Sequence, residues 1–157
     1  MKKLVKVLLL MVVAFSLLAG PASAKVRLIK GQTLYVPCYT TFYSGGHPFD
    51  VTTVIYIHNA DPHNAIDIVK IDLYNTEGKL VEKYLQKPLK LNSFATHRIN
   101  VKAPLQGEEG AGANFIVQWQ ANKKVIIPLI NALFLGARGT QGYSFTSPAR
   151  VIKEESD

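Results

Sequence analysis

Turn-forming residues interrupt this chain at short, regular intervals, and strand-like segments lie between them. The clearest breaks fall at residues 59–62, 87–88, 107–112 and 136–142, each of which contains Gly, Pro or both. Turn signals about every 8–12 residues are typical of a β-sandwich or a β-barrel. No segment keeps a helical period of apolar residues with a capping residue at each end, so we expect little helix.

The segments between the turns are rich in β-branched, aromatic and aliphatic residues, often with apolar side chains at every second position. They predict strands at residues 32–39, 51–58, 66–75, 80–86, 89–101, 115–119, 126–135 and 141–152. Asn75 to Gly78 predicts a tight hairpin turn, with Gly78 at positive φ. We therefore predict an all-β fold, an immunoglobulin-like β-sandwich of about seven or eight strands with Greek-key connections.

The first 24 residues have the layout of a secretory signal peptide. A basic start precedes an apolar run from Leu8 to Leu18, and Ala22-Ser23-Ala24 supplies the small residues of a cleavage site. The run is shorter than the ~20 residues with which a helix spans a bilayer. We therefore expect cleavage before Lys25 and no membrane segment in the product.

The same region predicts how the product is held outside the cytoplasm. Pro21 stands where a lipoprotein signal would place a Cys, so we expect no lipid anchor. The expected location is the periplasm or the extracellular medium, as a soluble protein. Residues 25–152 have the usual size of one domain, and the charged residues 153–157 are expected to form a flexible tail.

Charge and cysteine content narrow the function classes. Removal of Lys2, Lys3 and Lys6 with the signal peptide lowers the net charge from +7 to +4. The remaining charges are scattered, without the basic stripe that nucleic-acid binding requires, so no nucleic-acid partner is expected. The single cysteine, Cys38, forms no intrachain disulfide and is expected to pack as a small hydrophobe, with pairing to another molecule as the alternative.

The four histidines, His47, His58, His63 and His97, are the candidate metal ligands. Imidazole suits copper and zinc, so a secreted metal-binding module that uses His47, His58 and His97 is the second interpretation. Blue copper is not expected, because both methionines lie in residues 1–24 and no His follows Cys38 closely. Four unrelated surface or half-buried histidines are the simpler account, and it predicts no cofactor.

For His97, a separate question is whether its side chain points into the core or outwards. It shares strand parity with Ile99 and Val101, which directs it towards the core. A buried imidazole needs hydrogen-bond partners, whereas a β-bulge would turn it outwards. We expect a structural role.

Catalytic patterns are weak in this sequence. Gly142-Tyr143-Ser144 is only half of a nucleophile elbow, and Glu108-Glu109 between glycines is expected to be exposed. Gly110 to Asn114 is followed by a strand, whereas a dinucleotide fingerprint runs into a helix. We therefore predict no catalytic residues, and a small periplasmic enzyme is the third interpretation.

An aromatic segment and an apolar segment are the candidate partner-binding surfaces. Residues 39–49 predict a loop that carries Tyr39, Phe42, Tyr43 and Phe49 around two glycines. Aromatic loops on a rigid sandwich commonly contact ligands, although the same rings could cover the open end of the core.

The apolar segment covers residues 126–135 and includes Leu129 and Leu133. Because both of its faces are apolar, it is either covered within the fold or shields a dimer or partner contact. Pro128 favours a sheet edge or the start of a strand, and an edge could accept a strand from another chain. The leading interpretation is an exported, non-catalytic β-sandwich that binds an envelope component or itself.

Several short motifs resemble a family of secreted bacterial proteins known as domain of unknown function 3124. They are Tyr35-Val36-Pro37, Asn59-x-Asp61-Pro62, the hairpin from Tyr74 to Leu85, Gly112-Ala113-Asn114-Phe115 with Trp119, and Gly142-x-Ser144-Phe145. The resemblance covers nearly all of the chain after residue 24. It implies a single-domain export product and supplies no activity, catalytic residue or binding residue.

Overall fold

The computed structural model describes residues 26–101 and 108–155. The expected signal peptide and its cleavage site lie outside these residues. In this part of the chain, no helix is long and apolar enough to cross a membrane.

The all-β prediction is confirmed by twelve strands and one four-residue helix in the described residues. The elements are β1 (Leu28–Pro37), β2 (Thr41–Ser44), β3 (His47–Asp50), β4 (Thr52–His58), β5 (Ile66–Tyr74), β6 (Leu80–Lys83), β7 (Leu89–Leu91), β8 (Thr96–Asn100), α1 (Glu108–Ala111), β9 (Asn114–Ile126), β10 (Leu129–Arg138), β11 (Gln141–Pro148) and β12 (Arg150–Glu155).

The strands form two main antiparallel sheets and one separate hairpin. The large sheet has the order β12-β1-β9-β5-β6, and β7 also pairs with β5. The small sheet has the order β11-β10-β4-β8, while β2 and β3 pair only with each other. The chain crosses repeatedly between the sheets, for example from β4 to β5 and from β9 to β10.

Both sheets contribute their inner faces to one hydrophobic core. Trp119 and Phe115 of the large sheet and Phe134 of the small sheet are its largest fully buried side chains. Strand alternation explains this arrangement, since β10 buries Ile130 and Phe134 but turns its odd-numbered residues to the outer face. Full burial of one such side chain contributes about 1.5–3 kcal/mol.

The predicted turn between β5 and β6 is confirmed. The Asn75 Oδ1 atom accepts the backbone N–H groups of Glu77 and Lys79 at 3.1 and 2.9 Å. Gly78 has a φ of 77°, and its N–H donates to the Asn75 carbonyl at 2.9 Å. Because the stabilising side chain lies within the turn, local sequence is enough to predict the turn.

Two predicted strands are each divided where the chain changes sheet. Residues 89–101 form β7 and β8, because the chain turns at Phe94, which has a φ of 56°, and Ala95 donates its N–H to Asn92. Residues 141–152 form β11 and the start of β12, separated at Ala149. Pro148 has no backbone N–H to continue a ladder.

The apolar segment 126–135 also differs from its prediction. Ile126 ends β9, and Pro128 directly precedes β10. Strand β10 lies between β4 and β11, so both of its backbone edges are paired within the chain. Of the two positions that Pro128 favours, the start of a strand is therefore the one observed, and β10 has no free backbone edge for strand addition by another chain.

The predicted flexible tail is wrong for residues 153–155. These residues continue β12, and they pair with Thr33, Gln32 and Gly31 of β1. Charged side chains suit this edge because they stay in solvent while the backbone pairs. Residues 156–157 lie outside the described part of the chain.

Candidate binding site at the aromatic end of the sheets

Residues 41–50, most of the segment predicted as a loop, form a hairpin of β2 and β3, which we call the aromatic hairpin. Gly45 and Gly46 close its turn with φ values of 57° and 77°. Two consecutive positive φ angles are what a type I′ turn requires, and glycine adopts them without strain. The loop prediction is thus corrected, because paired strands fix the positions of these aromatic side chains.

A continuous series of aromatic rings joins this hairpin to the core. Phe42 and Phe49 stack across the hairpin with ring centroids 5.3 Å apart. Tyr143 of β11 packs edge-on against both rings, at 5.6 and 5.9 Å. Phe145 of β11 lies 6.1 Å from Phe42 and stacks at 4.6 Å on Phe134 in the core. Each such ring pair contributes about 0.5–1.5 kcal/mol beyond its buried area.

Tyr143 is held in this cluster by a hydrogen bond and by a neighbouring glycine. Its hydroxyl donates to the Asp50 carbonyl oxygen at 2.7 Å, which ties the small sheet to β3. Its ring lies over Gly136, the residue opposite it on β10, where any added Cβ would overlap the ring. Beside it, the Arg138 guanidinium lies 4.9 Å from the centroid of the Phe49 ring, within cation–π distance.

Tyr39 covers the end of the core rather than projecting into solvent. Its half-buried ring lies 5.1 Å from Phe134. Its carbonyl oxygen accepts the Thr53 hydroxyl at 2.6 Å. The alternative interpretation, in which the aromatic rings cover the open end of the core, therefore holds for Tyr39.

An open apolar groove of about 560 Å³ lies between the aromatic hairpin, β11 and α1. We call it the aromatic groove, and its lining is Tyr39, Thr41, Phe42, Tyr43, Ala111 and Phe145. Tyr43 is 59% exposed and Phe145 is 41% exposed, although both are large and apolar. A concave surface of exposed aromatic rings on a fixed scaffold is suited to binding an apolar group of a partner.

A smaller and more polar cavity of about 300 Å³ lies on the β3 side of the same hairpin. His47, Asp50 and Arg138 are among its lining residues. Arg138 takes part in none of the ion pairs within the described residues. The end of the fold that carries the aromatic hairpin thus presents an apolar surface with the Arg138 guanidinium beside it.

The structure does not bring the predicted histidine ligands together. His58 and His97 lie on neighbouring strands but on opposite faces, because His58 pairs with Thr96 whereas His97 pairs with Ile57. His47 lines a cavity with Arg138 at one end of β10, whereas His58 is opposite Leu129 at the other end of that strand. Over residues 26–101 and 108–155, no group of three or more His, Cys, Asp or Glu could hold a metal ion.

The individual environments of three predicted residues are also clear. His97 points inwards as its parity predicts, and burial lowers the pKa of its imidazole. His58 Nδ1 lies 2.9 Å from the Thr96 hydroxyl. Cys38 is fully buried in the core, as expected for a packed thiol, and burial raises its pKa to about 11.

Leu129 and Leu133 belong to a different surface from the aromatic residues. Both lie on the outer face of the small sheet, where Leu129 is opposite His58 and Leu133 is opposite Val54. Leu129 is 58% exposed, whereas Leu133 is half-buried. The predicted partner-binding residues therefore form two separate surfaces, and Tyr39, Phe42 and Tyr43 of the aromatic one line a groove.

Tyr143 and Phe145 belong to this site, although they are not among the partner-binding residues predicted from the sequence. Their alternation within the predicted strand 141–152 was a usable signal for a shared face. Their contact with Phe42, however, depends on the packing of the hairpin against β11, and local sequence does not specify this.

A buried carboxylate organises the opposite end of the fold. Asp61 Oδ1 accepts the N–H groups of His63 and Asn64 at 2.9 and 2.8 Å and the Asn64 side-chain amide at 3.0 Å. Its Oδ2 accepts the Ile126 N–H at 2.9 Å. Burial disfavours the charged carboxylate, but these donors outweigh burial and lower the pKa of Asp61 to about 2.

Comparisons with known proteins give a family and one structural similarity. No curated protein matches the chain. The structure titled "Crystal Structure of Thermotoga maritima 1070" is similar with a TM-score of 0.48 and 11% sequence identity, over 80% of this chain and 97% of that one. The family described as protein of unknown function DUF3124 matches residues 31–152. Because this match covers most of the chain, the protein belongs to the DUF3124 family, as its motifs predicted.

Proposed function

We propose that this protein is an exported, non-catalytic binding module that binds another protein of the cell envelope, or a second copy of itself, through the aromatic groove. Export rests on the signal-like residues 1–24. We also propose that its two sheets have the immunoglobulin-like, Greek-key arrangement expected from the strand pattern. Such sandwiches commonly present binding residues at one end of the sheets.

The observation that carries the proposal is the exposure of Tyr43 and Phe145 in a groove whose other walls are fixed. Aromatic residues are enriched at protein interfaces because they bury a large area with few rotatable bonds. The stacked Phe42 and Phe49 rings and the hydrogen bond from Tyr143 hold the surface in place. A surface that is already ordered loses little conformational entropy on binding.

Arg138 adds a charge preference to this surface. Its guanidinium packs on Phe49 and has no ion-pair partner among the described residues. Arginine is favoured at interfaces because it contacts both aromatic faces and carboxylates. The expected partner therefore places an apolar side chain in the groove, and an acidic group near Arg138 would strengthen the contact.

Light scattering after size exclusion, on protein released from its native envelope, tests the proposal. The protein is expected to elute in a complex heavier than the monomer, and Tyr43→Asp is expected to weaken that complex by about tenfold or more. Ile152→Asp is the matched control, because Ile152 on β12 is 58% exposed and lies outside the groove. The control is expected to elute like the unmodified protein.

Two results would contradict the proposal. One is a strictly monomeric protein with no bound component. The other is a complex that survives Tyr43→Asp but dissociates in Leu129→Asp, which would place the interface on the outer face of the small sheet.

A further inference from the structure

Strand β11 forms one edge of the small sheet, and its outer backbone edge has no strand partner in the described residues. It is eight residues long, most of its residues are exposed, and none of them is charged. Its only proline is the last residue, Pro148. A long uncharged edge of this kind is a template for pairing with another strand, which monomeric proteins usually prevent.

The other edge strands of the two main sheets have the features that usually prevent strand addition. Strand β7 has only three residues, and β6 has four with Glu82 and Lys83 among them. Strand β8 carries Arg98, and β12 carries Lys153 and three further charged residues. Charged or short edges disfavour strand addition. Among these edges, β11 is the exception.

The uncharged edge lies beside the aromatic groove. Phe145 of β11 lines the groove, and it shares the inner face of the strand with Tyr143. Because side chains alternate along a strand, a strand added to β11 would send every second side chain towards the groove. Main-chain hydrogen bonds and side-chain insertion would then act together, as in other cases of strand addition.

We propose that β11 pairs antiparallel with β11 of a second copy of this chain, so that two small sheets join into one continuous sheet across a two-fold axis. This inference rests on the proposed function and names its partner. The second copy fits because a two-fold contact must be self-complementary. Strand β11 meets that condition, since its inner face is aromatic, its outer face carries Ser144 and Thr146, and no like charges would oppose each other.

Sedimentation velocity of the purified full chain over a range of concentrations tests this pairing. The unmodified chain is expected to dimerise reversibly. The double variant Ser144→Lys, Thr146→Lys adds positive charges at exposed outer-face positions of β11 and is expected to raise the dissociation constant by about a hundredfold or more, because like charges would face each other.

The matched control adds the same charge at other edges, as Asn100→Lys on β8 with Ile152→Lys on β12. Its dissociation constant is expected to stay within about threefold of the original. A synthetic peptide of residues 141–148 is expected to dissociate the dimer, and a scrambled peptide is not. Unchanged Trp119 fluorescence and thermal unfolding would show that the variants remain folded.

Three outcomes would overturn the inference: a chain that is monomeric at every concentration, a dimer that both lysine variants weaken equally, and a dimer that the β11 variant leaves intact. If the purified chain is monomeric but a heavier complex from the envelope dissociates in Tyr43→Asp, the second copy is excluded as the partner. The proposed function would still stand in that case.

Discussion

Replacement of Asp61 by Asn is expected to lower the free energy of unfolding by about 2–4 kcal/mol at neutral pH. The amide oxygen can take over the position of Oδ1, which accepts three donors from His63 and Asn64. The amide nitrogen must then face the Ile126 N–H, which donates to Oδ2 in the native protein. Two donors would oppose each other in a buried site, and the charge that strengthened all four hydrogen bonds would be lost.

The effect of Asp61 has a defined pH dependence. Its pKa in the folded protein is about 2, below the usual value of 3.8 for an aspartate side chain. A carboxylate with a depressed pKa stabilises the fold above its unfolded pKa, and this contribution is lost as the pH falls through the folded pKa. The difference in stability between the native protein and Asp61→Asn is therefore expected to be constant above about pH 5 and to shrink between about pH 4 and pH 2.

Urea unfolding at pH 7 and at pH 3, followed by Trp119 fluorescence, measures both effects. Asp67→Asn is the control, because Asp67 is a half-buried carboxylate on the neighbouring strand β5. The free energy of unfolding of this control is expected to stay within about 0.5 kcal/mol of the native value. Equal losses in the two variants, or a difference that does not depend on pH, would exclude the role assigned to Asp61.

Replacement of Gly136 by Ala is expected to cost about 2–3 kcal/mol of stability and to disorder the aromatic groove. The added Cβ would overlap the Tyr143 ring, which packs between β10 and the aromatic hairpin. To make room, Tyr143 must leave Phe42 and Phe49 and give up its hydrogen bond to the Asp50 carbonyl. The aromatic hairpin would then lose its main attachment to β11.

The control for this prediction is Gly142→Ala on β11, where the nearest atom to an added Cβ is 4.0 Å away. Urea unfolding gives the two free energies, and near-ultraviolet circular dichroism reports on the packing of the aromatic rings. Combining Gly136→Ala with Tyr143→Ala is expected to cost less than the sum of the two single changes, since the clash is gone. Equal stability of the Gly136 and Gly142 variants would contradict the packing of Tyr143 on Gly136.

Features governed by neighbouring residues could be predicted from the sequence. The turn at Asn75 to Gly78 depends on an Asn side chain and a glycine within the turn itself, and the structure has both in the expected roles. The inward direction of His97 follows from alternation along one strand. The buried state of Cys38 follows from its apolar surroundings.

Features governed by the pairing of distant strands could not be predicted. The aromatic segment predicts a loop because Gly45 and Gly46 lie in its middle, whereas the structure pairs its two halves as β2 and β3. The contact of Phe42 with Tyr143 joins β2 to β11, two strands that are far apart in the chain. Likewise, alternation places Leu129 and Leu133 on one face of a strand, but it does not tell which face of the sheet is covered.

The central claim is that the aromatic groove is the binding surface, and photocrosslinking in intact cells tests it most directly. A benzophenone side chain would replace Tyr43 in the groove, Leu129 on the outer face, or Phe94, which is 70% exposed between β7 and β8. The prediction is one discrete crosslinked product from position 43 and none from position 94. A product from position 129 or 94 with none from position 43 would contradict it.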